Sequence, residues 1–166
     1  MVDTRVMRRG FTLIELLIVI SILAILSTLG VSNFQSTRIK AKDISRKSDL
    51  QTIAKSLEAY VNDHHTYPLS DANFKIICKT NGSICDWGKE FSDGLDSSTP
   101  KTIYATMLPV DPSGFTYHYY SQNGTSFILY ARLENTNDPS ITTFDPVVYC
   151  GGTNLCNYKV SSSNIL

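Results

Sequence analysis

The chain has 166 residues, 15 basic and 15 acidic, so its formal charge is zero, and 42% of it is hydrophobic. Balanced charge excludes a global nucleic-acid footprint, and the length allows one domain of ordinary size. The four cysteines, all from Cys78 onward, suit an oxidising extracytoplasmic setting.

Arg8 and Arg9 run straight into an apolar stretch over residues 11–31. As a helix it is about 31 Å long, enough to cross a hydrocarbon core once. It carries one carboxylate, Glu15, near its start. An acid at mid-bilayer depth costs roughly 3 kcal/mol on insertion scales, so Glu15 requires a partner or a task; snorkelling to the headgroups is the plain alternative. A secretory signal has a shorter apolar core followed by a small-residue cleavage site. Here the small residue, Gly10, precedes the run. Arg5, Arg8 and Arg9 stand before it, and Arg38, Lys40, Lys42, Arg46 and Lys47 follow. Charge counting alone therefore does not place the amino terminus inside.

Gly10-Phe11-Thr12-Leu13-Ile14-Glu15, behind Arg8 and Arg9, resembles the prepilin processing motif of type IV pilins and type II secretion pseudopilins. The resemblance implies that a prepilin peptidase removes the leader, residues 1–10, by cutting between Gly10 and Phe11, and that the new Phe11 amine is methylated. It implies a single-pass protein of the cytoplasmic membrane, with a cytoplasmic leader and an extracytoplasmic head, held in lipid until assembly. An inner-membrane assembly platform and identical copies in a helical filament are the implied partners. Loss of the leader takes three arginines and one aspartate from 15 and 15, leaving 12 basic and 14 acidic residues; no nucleic-acid partner is expected.

Electrostatics gives this motif a physical reason. Cleavage exposes a cationic amine at Phe11, and a carboxylate four residues along is its natural counter-charge, within the chain or from a neighbour. Two charges that neutralise each other in an apolar core avoid the large cost of burying either alone. Phe11 and Glu15 therefore read as assembly residues.

No proline occurs before Pro68, and Gly30 is the one glycine between Phe11 and Pro68. Leu50, Ile53, Leu57, Tyr60 and Val61 recur at helical steps. Ala41 and Ile44 extend the stripe backwards, with Lys42, Arg46, Lys47, Asp49, Lys55 and Glu58 on other faces. The spacing predicts one helix from about Phe11 to Asp63, on the order of 80 Å long. Residues 11–31 form its membrane or filament-core half, and residues 32–63 its amphipathic half. Tyr67-Pro68 lies past its end. Gly30 is either a weak point for local unwinding or a position for close helix contact.

Residues 64–166 read as a globular head. A connecting region over about 68–108 is expected to hold a short helix or two, with a turn at Asn81-Gly82. Strand-like runs at 115–120 and 126–133 flank Asn123-Gly124, a hairpin signature. Phe115, Tyr117 and Tyr119 share one face; Phe127, Leu129, Ala131 and Leu133 share a face of the next strand. Residues 144–150 and 157–160 suggest a second hairpin around Gly151-Gly152. The fold class is α+β: a pilin-like lollipop, with one long amino-terminal helix packed on an antiparallel sheet over about 115–160.

Two further stretches extend the resemblance. Leu57, Tyr60, Asp63, Tyr67 and Pro68 are similar to the stem end of major pseudopilins. Residues 108–114, followed by Tyr117 and Tyr119, resemble the segment leading into their sheet. Both point to the G-like branch of type II secretion. The terminal cysteine pair instead resembles pilins with a disulfide-closed carboxyl region. The implied function is a structural filament subunit of a type II secretion pseudopilus. The alternatives are a true pilus subunit for adhesion, motility or DNA uptake, and a monomeric membrane-anchored binding module.

Cys78 and Cys85 are six residues apart, Cys150 and Cys156 five, counting those between, which does not match zinc knuckles. Disulfides fit better. Of three connectivities, loop proximity favours Cys78 with Cys85 and Cys150 with Cys156, the first closing a small loop worth about 2–3 kcal/mol in the chain-entropy model. Glu134, Asn135, Asn137 and Asp138, with Asp145 beyond, offer oxygen ligands of the kind calcium takes. The resemblance to G-like pseudopilins implies a calcium site in the head, while a solvated turn is the other reading; no other cofactor is expected. His64 and His65 are expected at the end of the helix and His118 on the exposed side of its strand; they accompany no recognisable nucleophile–base constellation, so no enzymatic activity is expected.

Overall fold

The computed structural model describes residues 10–78, 82–94 and 101–163, without the side chains of 28–33. The leader up to Arg9, Asn81 of the expected turn, and residues 95–100 lie outside the described residues. One helix, α1 (Leu13–His64), runs 52 residues and is continuous through Gly30. It ends where His65 turns to a positive φ of 59° and donates its amide to the Val61 carbonyl at 2.8 Å. That left-handed closure is usually a glycine's. The chain divides within α1 into two compact units, Met1–Arg38 and Ile39–Leu166.

In the first unit, residues 13–26 expose nearly all their apolar side chains. The hydroxyl within this stretch and the one just past it turn back on the helix: Ser21 donates to the Ile18 carbonyl and Ser27 to that of Leu23, each at 2.7 Å. Their polarity is satisfied internally, as an apolar environment demands. Among the described residues no helix is long and apolar enough to cross a membrane. The expected span over 11–31 includes residues whose side chains are outside that set.

In the second unit, Leu50, Ile53 and Leu57 are fully buried and Tyr60 and Val61 partly so. They share one apolar cluster with Tyr117, Tyr119, Phe127 and Leu129. Each fully buried side chain of this kind contributes about 1.5–3 kcal/mol relative to exposure. The backward extension of the stripe is corrected: Ala41 is exposed and Ile44 is 69% exposed, whereas Asp43 and Arg46 are buried. Helical phase explains this, because positions 43, 46, 50, 53 and 57 are spaced by threes and fours and share a face. Position 44, six residues before Leu50, is about 120° away at 3.6 residues per turn.

The sheet that carries the core is antiparallel, ordered β6 (His118–Tyr120), β7 (Ile128–Ala131), β8 (Tyr158–Ser161). Tyr119 faces Leu129, which faces Val160. Tyr117, Tyr119, Phe127, Leu129, Ala131 and Leu133 are all buried, with Phe115 half-buried. The turn between β6 and β7 brings Gly124, φ 73°, against the backbone after α1, where its carbonyl accepts the Tyr67 amide at 2.8 Å. A side chain there would meet the Tyr67 carbonyl at 3.0 Å, so the position suits glycine on two counts.

Two expectations for the head fail. Residues 144–150 form no strand; all that remains of the second hairpin is a bridge between Tyr149 and Leu155. Pro146 removes a ladder donor within that run, and β8 pairs with β7 instead. The connecting region holds no helix among the described residues. It builds a small sheet of β1 (Leu69–Ser70), β2 (Ile76–Ile77) and β3 (Ile84–Cys85), then a hairpin of β4 (Phe91–Ser92) and β5 (Ile103–Ala105). A turn in which Asp71 accepts the Asn73 and Lys75 amides and the Cys78–Cys85 closure leave too short a run for a helix.

Candidate functional site

At the amino-terminal end, Gly10 and Phe11 precede α1 and are exposed, Phe11 at 86%. Thr12 caps the helix. Its amide and its hydroxyl both donate to Glu15 Oε2, at 2.8 and 2.7 Å, and the Glu15 amide points back at Thr12 Oγ1 at 3.3 Å. This is a reciprocal capping box, Thr-x-x-Glu. The three-residue spacing of Thr12 and Glu15 is visible in the sequence, and the structure adds this capping role to the assembly role expected of Glu15. Among the described residues Glu15 Oε1 makes no hydrogen bond, so the carboxylate holds its own helix with one oxygen and presents the other. The negative charge also sits at the positive end of the helix dipole.

A second constellation, missed in the sequence, lies on the inward face of α1 in the head. Arg46 is 0% exposed. Its Nη1 donates to Asp43 at 2.6 Å, its Nε to Asp111 at 2.6 Å, and its Nη2 to Glu134 at 2.6 Å. Burial alone would lower the guanidinium's pKa; its bonds to Asp111, Glu134 and Asp43 outweigh that and raise it. The carboxylates also gather backbone. Asp43 accepts the amides of Glu134 and Asn135 at 2.9 and 2.7 Å, and Asp111 accepts those of Ser113 and Phe115 at 2.7 and 3.2 Å. Two loops of the head are thus fixed to one helical turn. Removing one partner of such a buried cluster typically costs about 3–5 kcal/mol. The signal that could have found Arg46 is its position four residues before Leu50.

Lys47, beside it, donates to both oxygens of Asp138 at 2.8 Å and to Ser140 Oγ at 2.6 Å. Two of the five cations that follow the apolar run are therefore committed inside the subunit. Arg38 and Lys40 remain exposed.

The structure brings the calcium candidates into the same loop but not into a ligand set. Glu134 Oε1 is taken by Arg46 and by the Ser113 hydroxyl at 2.6 Å. Asp138 is taken by Lys47, and Asn135 Oδ1 by the Asn137 amide at 3.3 Å. Asp145 is exposed in the loop beyond. The donor set does not fit a divalent ion. The structure bonds Cys78 to Cys85 and Cys150 to Cys156, each closing a short loop. Of the histidines, His64 ties the end of α1 to the β4–β5 hairpin through Asp93 and Tyr104, at 3.1 and 3.2 Å. His65 closes the helix. His118, expected on the exposed side of its strand, is half-buried and stacks on Phe74 at 5.0 Å, and burial lowers its pKa. These are structural roles.

Residues 5–31 match the family described as the prokaryotic N-terminal methylation motif. Over 113 residues the chain is 35% identical to the type II secretion system core protein G of Pseudomonas aeruginosa, covering 66% of this chain and 71% of that one. It is 30% identical to that of Dickeya chrysanthemi over 114 residues, 69% of each chain. The Escherichia coli protein of the same name is 29% identical over 110 residues, 66% of this chain and 70% of the relative. No solved structure gives a significant match. With the methylation motif at its amino-terminal end and the capped, apolar helix that follows, the chain belongs to the family of type II secretion system core protein G, the pseudopilins of the type IV pilin superfamily.

Proposed function

We propose that this chain is a pseudopilus subunit anchored in the cytoplasmic membrane by residues 11–31, cut between Gly10 and Phe11, methylated at Phe11, and polymerised through α1. Its role is mechanical rather than enzymatic. Prepilin peptidase processes it, an inner-membrane platform feeds it into the filament, and identical copies surround it there. The observation that carries the reading is Glu15, a lone carboxylate in an exposed apolar rod, four residues beyond the cleavage point, with one oxygen held by Thr12. In the filament its other oxygen takes the methylated amine of a neighbouring Phe11, which fixes the stagger between copies.

Mass spectrometry of the mature amino terminus tests the processing: N-methyl-Phe11 is expected, and an intact Met1 in peptidase-containing cells overturns it in favour of a tethered binding module. The assembly role is read from Glu15→Val. Normal cleavage with failed or defective incorporation into filaments is expected; unimpaired filaments refute the role of Glu15. The Cys150–Cys156 closure near the carboxyl end favours a second reading, a type IV pilus subunit. Loss of protein export on deletion of the subunit supports the first reading, and loss of adhesion, motility or DNA uptake with intact export supports the second.

A further inference from the structure

Loop 134–140 has the composition of a cation site, yet each of its carboxylates already faces a cation that belongs to the chain. Asp138 offers both oxygens to Lys47 Nζ at equal distances of 2.8 Å, and the same ammonium reaches Ser140 Oγ at 2.6 Å. The Ser140 amide returns to Asp138 Oδ1 at 3.0 Å. With the Ser140 hydroxyl also donating to Asp138 Oδ1, five polar contacts close around one ammonium and one carboxylate, in the way oxygen ligands close around a metal ion. Lys47 is also seated 5.5 Å over the ring of Tyr158 on β8, which fixes the ammonium against the sheet as well as the loop. The bonds from Lys47, and those from Ser140, hold the Asp138 carboxyl down at about 2. At the other end of the loop, Arg46 neutralises Glu134, and Asp43 accepts the amides of Glu134 and Asn135. Among the described residues no group of three acidic, histidine or cysteine side chains is placed to hold a metal.

We infer that Arg46 and Lys47, adjacent on α1, are the resident cations of this loop, so that the head closes it against the helix without a divalent metal. An ammonium tethered to the helix needs no ion from solution and cannot be stripped by a chelator. The order of the loop is then set by the sequence of α1 rather than by the calcium content of the medium. The inference concerns the subunit and stands whichever filament the chain builds.

The test uses the full chain in detergent, with glutamyl endopeptidase cleavage after Glu134 as the readout of loop opening and thermal unfolding as a second measure. For the parent protein, cleavage rate and unfolding midpoint are expected to be the same in millimolar calcium and in excess chelator. Lys47→Met is expected to raise the cleavage rate roughly fivefold in both media, the change in open population that about 1 kcal/mol produces. Asp138→Asn, in the loop itself, gives the same increase if Lys47→Met does not fold. A parent midpoint raised by calcium, as binding to the folded state alone requires, overturns the inference. So does a loop equally protected in both variants.

Discussion

Thr12 and Glu15 do two jobs with four atoms. They start α1 as a capping box, and they hold a carboxylate in place at the mouth of an apolar rod. Thr12→Val removes the oxygen that accepts the Glu15 amide and is expected to cost about 1 kcal/mol of helix-end stability. Amide exchange at Glu15 in detergent should then quicken, with cleavage after Gly10 unaffected. The ionic residues of the head predict an acid limit. Glu134 is pushed up by burial but pulled down further by Ser113 and Arg46. Asp138 falls to about 2, and Asp93, also pushed up by burial, is pulled below its ordinary value by Thr102 and His64. Carboxylates depressed in the folded state stabilise it fully above their unfolded values, about 4, and lose that contribution as pH falls toward 2. The unfolding midpoint by circular dichroism should therefore fall gently below about pH 6.5, where the unfolded chain protonates His118 more readily than the folded one, and steeply below pH 4. Glu15 was legible in the sequence because a charge in an apolar run has few explanations. Arg46 was not, because an arginine on an amphipathic helix reads as a solvated side chain until its partners, 65 and 88 residues away, are known.

The phase of α1 makes the sharpest claim at the next scale. Leu57 is fully buried, whereas Ile44, equally apolar, stands on another face. Leu57→Ala should cost about 2–5 kcal/mol in urea unfolding of the full chain in detergent, and Ile44→Ala should stay within about 0.5 kcal/mol. The helix itself was readable from end to end, to within two residues at the start and one at the finish, because uninterrupted periodicity is the strongest local signal. The β6–β7 hairpin was readable for a similar reason: Asn123-Gly124 supplies the positive φ its turn requires. The partner of β7 on its other edge was not. Residues 144–150 are as apolar as a strand, and only long-range pairing chose 158–161 instead. Among the described residues, the five short strands between Leu69 and Ala105 have two or three residues each, below the length at which a period can be seen.

For the molecule as a whole, the two disulfides close two separate short loops of the head. Cys78–Cys85 joins β3 to the residue after β2, and Cys150–Cys156 crosses the single bridge that remains of the expected hairpin. Their reduction should lower the unfolding free energy by about 2–3 kcal/mol for each bridge, measured by denaturant titration with and without reductant. Cys150 and Cys156 are buried, so the thiols should become reactive only on unfolding. The first unit, taken by itself, carries a bare aliphatic surface over residues 13–26, in which the Ser21 hydroxyl is turned back on the helix and Glu15 presents one free oxygen. Such a surface leaves the subunit no free existence in water. Under the function proposed above, lipid first and identical copies later keep that surface dry, and a subunit released from both is expected to self-associate through it.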